Sequence, residues 1–266
     1  MRLHALRYGQ DSGFSCRLFG ALCLWLLGYP DQARQWTEAA LTHAQGLRHA
    51  FTLNQALLFS ALLHQLRREA AVAQDRAEAQ VALCTEHGFA AYLAWGTVLR
   101  GWALAAQGQW AEGLGQIRQG LAAWRAMGMR ASLPWFLALL AEACGKAGQI
   151  EEGLRALDEA LEAMQTTEDR VYEAEVYRLK GVLLLQQSAA QQGEAEESLQ
   201  QALAVARRQQ AKSFELRAAM SLSRLWQQQG KRAEARELLG EVYGWFTEGF
   251  DTADLQEARA LLEELR

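Results

Sequence analysis

Tryptophan and arginine supply the side chains of this 266-residue chain that are best suited to binding a partner. Trp95 and Trp102 are separated by two helical turns, which places them on one face of a helix, and Trp135 follows further along the chain. Aromatic rings beside charged side chains are what a peptide groove offers, because Trp and Arg are enriched among residues that dominate interface energies. Tryptophans at this spacing also suit packing between helices, so both interpretations remain open.

The spacings that support catalysis or cofactor binding do not occur in the sequence. There is no GxxxxGK[ST] phosphate loop and no GxSxG motif, and none of the five histidines belongs to an HExxH motif. Acidic pairs such as Glu151-Glu152 and Glu196-Glu197 fall where helices are expected to begin, and the helix dipole accounts for them there. We therefore expect no enzyme activity, no metal and no cofactor.

The charge balance and the apolar stretches exclude two further classes of partner. A formal net charge of −4 and an isoelectric point near 5.8 give no basic stripe of the kind that nucleic-acid-binding domains carry. The longest apolar stretch, residues 18–27, is far shorter than the ~20 residues that cross a bilayer. We therefore expect no nucleic-acid partner and no membrane partner.

Cysteine usage points to a reducing compartment. Cys16, Cys23, Cys84 and Cys144 lie on apolar helical stretches and show no CxxC spacing. Such cysteines are typical of small buried side chains rather than of disulfides or metal ligands. We expect buried free thiols in a cytoplasmic protein.

A pattern of small and apolar residues recurs at a nearly constant interval along the chain. One position of the pattern is occupied in turn by Ala33, Val72, Gly113, Gly153, Ala195 and Ala235. A fixed period within the range of roughly 20 to 50 residues indicates stacked structural units that bury a continuous core between neighbours. The chain is therefore predicted to be a solenoid, in which Trp135 repeats Trp95 one unit later.

Each unit is predicted to be a pair of antiparallel amphipathic helices. In the fourth unit, residues 135–146 predict the first helix, residues 147–149 the turn and residues 150–164 the second helix. Glycine inside a helix costs about 1 kcal/mol relative to alanine. Gly101, Gly113 and Gly120 are therefore expected where two helices of one hairpin cross closely.

This pattern resembles the tetratricopeptide repeat over roughly residues 14–246. Leu27-Gly28-Tyr29, Ala33 and Ala40 come closest to its consensus. The interval is longer than that of the family by less than two helical turns, and Arg67-Arg68-Glu69 stands where a glycine turn is expected. The resemblance implies an all-α, tetratricopeptide-like α-solenoid, a right-handed superhelix of about six antiparallel hairpins.

The two ends of the sequence differ in character. Residues 1–13 resemble the end of a preceding repeat, and residues 251–266 predict a capping helix, within a single solenoid spanning residues 1–266. A chain open at one end and capped at the other is expected to be the C-terminal piece of something larger. The open end, at Leu3, Leu6 and Tyr8, is a candidate surface for pairing with a second copy.

A second resemblance concerns the surroundings of such a solenoid. It is carried by RYGQD at 7–11, LWLLGYP at 24–30, LRGWA at 99–103, YRLKG at 177–181 and YGWFTEGFDT at 243–252. These runs are similar to the C-terminal repeat region of large bacterial signalling proteins with a class III nucleotide cyclase domain and a STAND-type ATPase. The resemblance implies a sensor arm whose partners include those N-terminal domains of a parent chain.

The tetratricopeptide register assigns a set of side chains to the concave face. The candidate binding residues are Asn54, His64, Trp95, Trp102, Trp135, Glu142, Glu175, Arg178, Arg217 and Arg224. They predict a non-catalytic module that binds a protein or peptide in the groove. The alternative is a small-molecule sensor that stacks an inducer on the tryptophans; an open trough favours the first and a closed cavity among the tryptophans favours the second.

Overall fold

The computed structural model describes residues 12–266, which form thirteen α-helices and no strand. The helices are α1 Ser12–Leu26, α2 Pro30–Leu47, α3 Ala50–Leu66, α4 Ala70–His87, α5 Ala90–Ala106, α6 Trp110–Ala126, α7 Leu133–Lys146, α8 Ile150–Thr167, α9 Glu173–Gln187, α10 Gln192–Gln209, α11 Lys212–Gln228, α12 Arg232–Tyr243 and α13 Ala253–Glu264. A short 3₁₀ helix, Ala189–Gln191, precedes α10. The predicted remnant at residues 1–13 and the residues Leu3, Leu6 and Tyr8 lie outside the described residues, apart from the start of α1.

The first twelve helices pair as successive hairpins, which confirms the tetratricopeptide-like α-solenoid. Odd-numbered helices from α1 to α11 form the inner row, in which each contacts the next, and even-numbered helices form the outer row. The fourth hairpin, α7 with α8, begins slightly earlier and ends slightly later than its sequence pattern predicts. Among residues 12–266 no helix is both long and apolar enough to cross a membrane.

Four of the hairpin turns use a glycine in the left-handed conformation. Gly28, Gly108, Gly148 and Gly230 have φ between 74° and 88°. The turn of the second hairpin keeps this geometry although it has no glycine, because Arg68 adopts a φ of 63°. A side chain with a Cβ is strained in this region. In the second hairpin, the left-handed position of the turn is therefore occupied by a residue with a guanidinium side chain.

The helix crossing predicted at Gly101 and Gly113 is confirmed. A Cβ on Gly113 would lie 2.5 Å from the carbonyl oxygen of Gly101, and a Cβ on Gly101 would lie 2.6 Å from the carbonyl oxygen of Gly113. The α5 and α6 backbones are thus in contact at this point. Gly120 approaches a different part of α5, at Ala94 and Val98.

The expectation of four buried cysteines is wrong for two of them. Cys84 and Cys144 are buried, whereas Cys16 and Cys23 are exposed. Both exposed thiols lie on α1, about two turns apart, on a face that remains open to solvent.

The superhelix returns to its own start, because α11 contacts α1 as well as its neighbour α9. The ring of Phe214 packs edge-on against Trp25 at 5.3 Å, and the Ser213 hydroxyl donates to the Trp25 carbonyl. The Arg217 guanidinium donates to the carbonyl of Leu66, the last residue of α3. The first turns of α11 thus meet the last turns of α1 and α3, so the inner row closes with an offset along its axis.

Residues 244–252, which join α12 to α13, complete this closure and are called the closing segment below. Glu248 accepts hydrogen bonds from the backbone amides of Asp31 and Gln32 at 2.9 and 3.0 Å. Trp245 packs edge-on against Tyr29 with ring centroids 5.4 Å apart. After the closing segment, α13 packs on α11 and α12. It buries Leu255, Ala258 and Leu261, and Leu265 is buried directly after its last turn.

Replacing Gly113 by alanine should destabilise the protein by about 1–3 kcal/mol, because the new methyl group meets backbone atoms of α5 that have no room to move. Gly115→Ala, two residues along the same helix, has no atom within 4 Å of the new Cβ and should stabilise by up to about 1 kcal/mol. Urea unfolding followed by circular dichroism measures both. Similar effects of the two substitutions would contradict the close crossing.

Candidate functional site

The inner row and α13 line a partly open cavity of about 210 Å³. A second opening of about 460 Å³ continues from it between α9 and α11 and shares Arg178, Val182, Gln186, Ser221 and Arg224 with the first. The two therefore form one continuous depression, which we call the inner trough. Many of the side chains that line the first cavity are charged. The ion pairs among them therefore determine which charges are free to contact a ligand.

The wall of the first cavity carries cations and anions from several elements of the fold. The cations are Arg68, Lys146, Arg178, Arg217 and Arg224, and the anions are Glu142, Glu175, Asp254 and Glu257. Each anion lies within ion-pair distance of at least one of these cations. Buried charges need such partners, because an unpaired charge loses its hydration without compensation.

Glu175 on α9 is held by two guanidinium groups. Arg178, one turn along the same helix, donates two hydrogen bonds to it, with Nε to Oε2 at 2.8 Å and Nη2 to Oε1 at 2.7 Å. Arg217 approaches Oε1 from α11 at 3.5 Å. Burial alone would raise the pKa of Glu175, but Arg178 and Arg217 outweigh it and hold the pKa at about 2. Glu175 is therefore a permanent anion at neutral pH.

A second set of ion pairs joins α11 and α13 to the turn after α3. Arg217 donates to Asp254 Oδ2 at 2.8 Å, and Arg68 donates to Asp254 Oδ1 at 3.1 Å. Arg68 also lies 2.7 Å from Glu257, which Arg224 reaches at 3.3 Å. Charges of alternating sign thus run from α9 through α11 and α13 to the second hairpin.

Trp102 acts on the site through its ring nitrogen. The ring is buried, and Nε1 donates to Glu142 Oε2 at 2.8 Å, while Lys146 reaches Oε1 of the same carboxylate at 3.0 Å. Burial tends to raise the pKa of Glu142, but the charge of Lys146 and the hydrogen bonds from Trp102 and Lys146 lower it overall. Trp102 therefore positions a carboxylate and does not offer its face to a ligand.

The other two candidate tryptophans belong to the core rather than to a concave ledge. Trp95 packs edge-on against Trp124 and Phe136, with centroid distances of 5.7 and 5.6 Å. Trp135 is 2% exposed and packs against Trp95, Phe136 and the ring of Tyr172. Of the two interpretations that the sequence left open, packing therefore describes Trp135 and the half-buried Trp95, because these rings fill the space between successive hairpins.

Asn54 and His64 also lie away from the inner trough. Asn54 is completely buried between α3 and α4, where its Oδ1 accepts from Gln80 Nε2 at 3.3 Å and lies 3.0 Å from Cys84 Sγ. His64 is buried near the end of α3 with Nδ1 against Glu69. Their expected place on the concave face is wrong, since their side chains point into helix contacts.

The candidate residues thus divide into two groups. Those that line the inner trough are Trp102, Glu142, Glu175, Arg178, Arg217 and Arg224, whereas Asn54, His64, Trp95 and Trp135 are packed elsewhere. The register missed Arg68, Asp254 and Glu257, which come from a turn and from α13. One signal was present for Arg68, because it stands where the repeat expects glycine. Within residues 12–266 no cluster of three His, Cys, Asp or Glu side chains is placed to hold a metal ion.

Comparison with known proteins identifies the fold. No protein-family model matches the chain, and no curated protein matches it. The solved structure of NprR in complex with its cognate peptide NprX superposes with a TM-score of 0.67 at 14% identity, covering 99% of this chain and 74% of that one. Aspartyl phosphate phosphatase F from Bacillus subtilis gives 0.62 at 13% identity, covering 88% of this chain and 60% of that one.

A third similar structure is a signal transduction ATPase with numerous domains from Pyrococcus horikoshii, which has a tetratricopeptide repeat sensor. It superposes with a TM-score of 0.54 at 12% identity, covering 95% of this chain and 38% of that one. This chain therefore spans less than two thirds of two of these three proteins. Similarity at this level of identity establishes a tetratricopeptide-like solenoid.

The depressed pKa of Glu175 predicts acid sensitivity. A carboxylate whose pKa falls on folding stabilises the protein above its unfolded pKa of 4.5, and this contribution is lost as the pH falls towards about 2. Glu175→Gln should therefore lower the free energy of unfolding at pH 7 by about 2–3 kcal/mol. The free energy of unfolding should then decline less steeply between pH 5 and pH 3 than it does in the unsubstituted protein.

Urea unfolding of both proteins across this pH range measures the difference. Glu241→Gln, on the exposed side of α12, is the matched control and should leave the pH dependence unchanged. Parallel stability curves for Glu175→Gln and the unsubstituted protein would show that Glu175 makes no net contribution.

Proposed function

We propose that this chain is a non-catalytic interaction module that binds an extended peptide segment in the inner trough. The observation that carries the proposal is the open depression between α9 and α11, which combines apolar and charged side chains. Val182 and Leu185 offer contacts for apolar side chains, and Arg224 offers an exposed guanidinium group. A peptide of mixed character would complement all three.

The polar residues of the trough suit a peptide backbone. Gln186, Gln192 and Gln228 line the opening between α9 and α11, and each amide has both hydrogen-bond donors and an acceptor. An extended peptide brings unpaired backbone amides and carbonyls that need such partners. NprR, whose fold is similar, was solved with its cognate peptide, which supports the same use of the fold here.

The state of the charged groups supports a binding role over catalysis. A general acid or base works best with a pKa near the operating pH. Glu175, with a pKa of about 2, is held far from that range by Arg178 and Arg217. We propose that the Glu175 carboxylate fixes the positions of Arg178 and Arg217 and does not transfer protons.

The small-molecule alternative rested on stacking against Trp95, Trp102 and Trp135. Trp102 and Trp135 are 3% and 2% exposed, which leaves only the half-buried Trp95 ring, and the trough opens between α9 and α11 instead of closing around the tryptophans. The shape therefore favours a peptide or protein segment.

We propose further that the module is the sensor arm of a larger bacterial signalling protein with a STAND-type ATPase or cyclase domain, located in the cytoplasm. The sequence runs that resemble such proteins and the fold shared with the STAND sensor support this placement. Free thiols at Cys16 and Cys23, exposed on α1, suit a reducing compartment. Binding in the trough would bias the parent enzyme by favouring one of its conformations.

Peptide binding is tested by selecting random heptapeptides displayed on phage against the immobilised protein and titrating synthetic copies by calorimetry. We expect enriched peptides to bind in the micromolar range. Arg224→Glu reverses a charge at the trough and should weaken binding at least tenfold, or by about 1.4 kcal/mol. Arg236→Glu, on the exposed face of α12, should leave binding unchanged. Failure to enrich any peptide, or equal affinity of the Arg224 variant, would refute the proposed site.

The parent-chain proposal makes a separate prediction. The protein isolated from its source cells should be larger than the 29.6 kDa of this chain. Its N-terminal tryptic peptides should come from a nucleotide-binding domain. Intact mass spectrometry that gives 29.6 kDa in those cells would contradict the proposal.

A further inference from the structure

A carboxylate from the far end of the chain caps the first outer helix. The residue before α2, Tyr29, makes no side-chain capping hydrogen bond. Glu248 Oε1 instead accepts from the amides of Asp31 and Gln32, and its Oε2 accepts from the Gln32 side chain at 2.9 Å. These amides belong to the first turn of α2, which has no partners within the helix and favours a negative charge. The closing segment is therefore joined to the start of α2 by a carboxylate, which is an acceptor that a helix N-terminus favours.

The contact is reciprocal and closely packed. Asp31 Oδ2 accepts from the amide of Gly249 at 3.0 Å. A Cβ on Gly249 would lie 2.2 Å from Pro30, and a Cβ on Gly28 would lie 2.6 Å from Trp245. Both glycines also have positive φ, at 76° and 87°. The two surfaces thus approach each other at positions where only glycine leaves enough room.

The closure is continuous with the wall of the inner trough. The closing segment leads directly into α13, whose Asp254 and Glu257 line the first cavity. Across the closure, Arg68 from the second hairpin pairs with both carboxylates. Arg68 adopts its strained left-handed conformation at this point, and residues held in such conformations need support from their surroundings. The part of the charged wall formed by Arg68, Asp254 and Glu257 therefore exists only where the two ends of the solenoid meet.

We propose that the closing segment is a latch that controls the inner trough. With the latch closed, Asp254 and Glu257 complete the wall; with the latch open, α13 withdraws them from Arg68 and Arg217. A ligand that binds the complete trough stabilises the closed state, and closure strengthens ligand binding by the same factor. The contacts that close the latch are present in the protein without a ligand, whereas the link between the latch and a ligand rests on the proposed peptide-binding function.

Glu248→Ala tests the latch without touching the trough. Hydrogen exchange should accelerate about tenfold at the start of α2, because capping hydrogen bonds are lost. Exchange in residues 245–252 and in the first turn of α13 should accelerate with it, since the latch opens as a unit. Glu241→Ala, on the exposed face of α12, is the matched control and should change none of these segments.

Arg68→Gly tests the coupling between the closing segment and the trough by removing the ion pairs to α13 instead of the cap on α2. Glycine suits the left-handed turn, so this substitution removes the guanidinium group while the hairpin keeps its shape. Arg68 makes no contact with Glu248, yet we expect faster exchange in the closing segment and at the start of α2. In both variants the radius of gyration from solution X-ray scattering should increase.

The outcomes separate the closure from the ligand link. If Glu248→Ala affects only residues 31–34, or Arg68→Gly leaves the closing segment unchanged, the contact is a local helix cap and the latch is refuted. With a phage-selected heptapeptide, exchange at α2 should slow in the unsubstituted protein, and Glu248→Ala should weaken binding about tenfold. If both variants open the free protein but binding stays equal, closure exists without control of the trough.

Discussion

Arg217 is the side chain on which the closed arrangement depends. Its buried guanidinium group lies between four parts of the fold: it pairs with Glu175 on α9 and Asp254 on α13, donates to the carbonyl of Leu66, and lies 5.2 Å from the ring centre of Trp25. A buried cation is tolerated only when such partners replace its water. Arg217 can keep its partners only if the first two hairpins, α9 and α13 all hold their positions, so one charge specifies how the ends of the solenoid meet.

This constraint explains why the site lies where it does. In a linear solenoid each unit contacts only its neighbours, so a groove is built from the inner helices in sequence order. Here the charged wall combines α9 and α11 with a turn from the second hairpin and with α13, through pairs such as Arg68 and Asp254 that are 186 residues apart. The site is thus a product of closure, and the stability of closure and the shape of the trough change together.

The local part of the structure could be predicted from sequence because it depends on short-range periodicity. The fourth hairpin and the Gly101–Gly113 crossing follow from side-chain size at helical spacing. The tryptophan ledge could not, because one position of register rotates a side chain by about 100° around a helix and turns a groove residue into a core residue. Closure could not be predicted either, since it depends on small rotations between repeats that accumulate along the chain.

One sequence feature did mark the closure, although its meaning becomes clear only in the fold. Arg67-Arg68-Glu69 occupies the turn that glycine occupies in four other hairpins. Each of its residues makes a contact that glycine could not: Arg67 donates to the carbonyl of Pro30, Arg68 pairs with α13, and Glu69 binds both Arg67 and His64. A departure from a repeat consensus at a strained position therefore indicates a contact made outside the repeat. In a solenoid, where neighbour contacts account for the consensus, such departures are where a search for long-range contacts should begin.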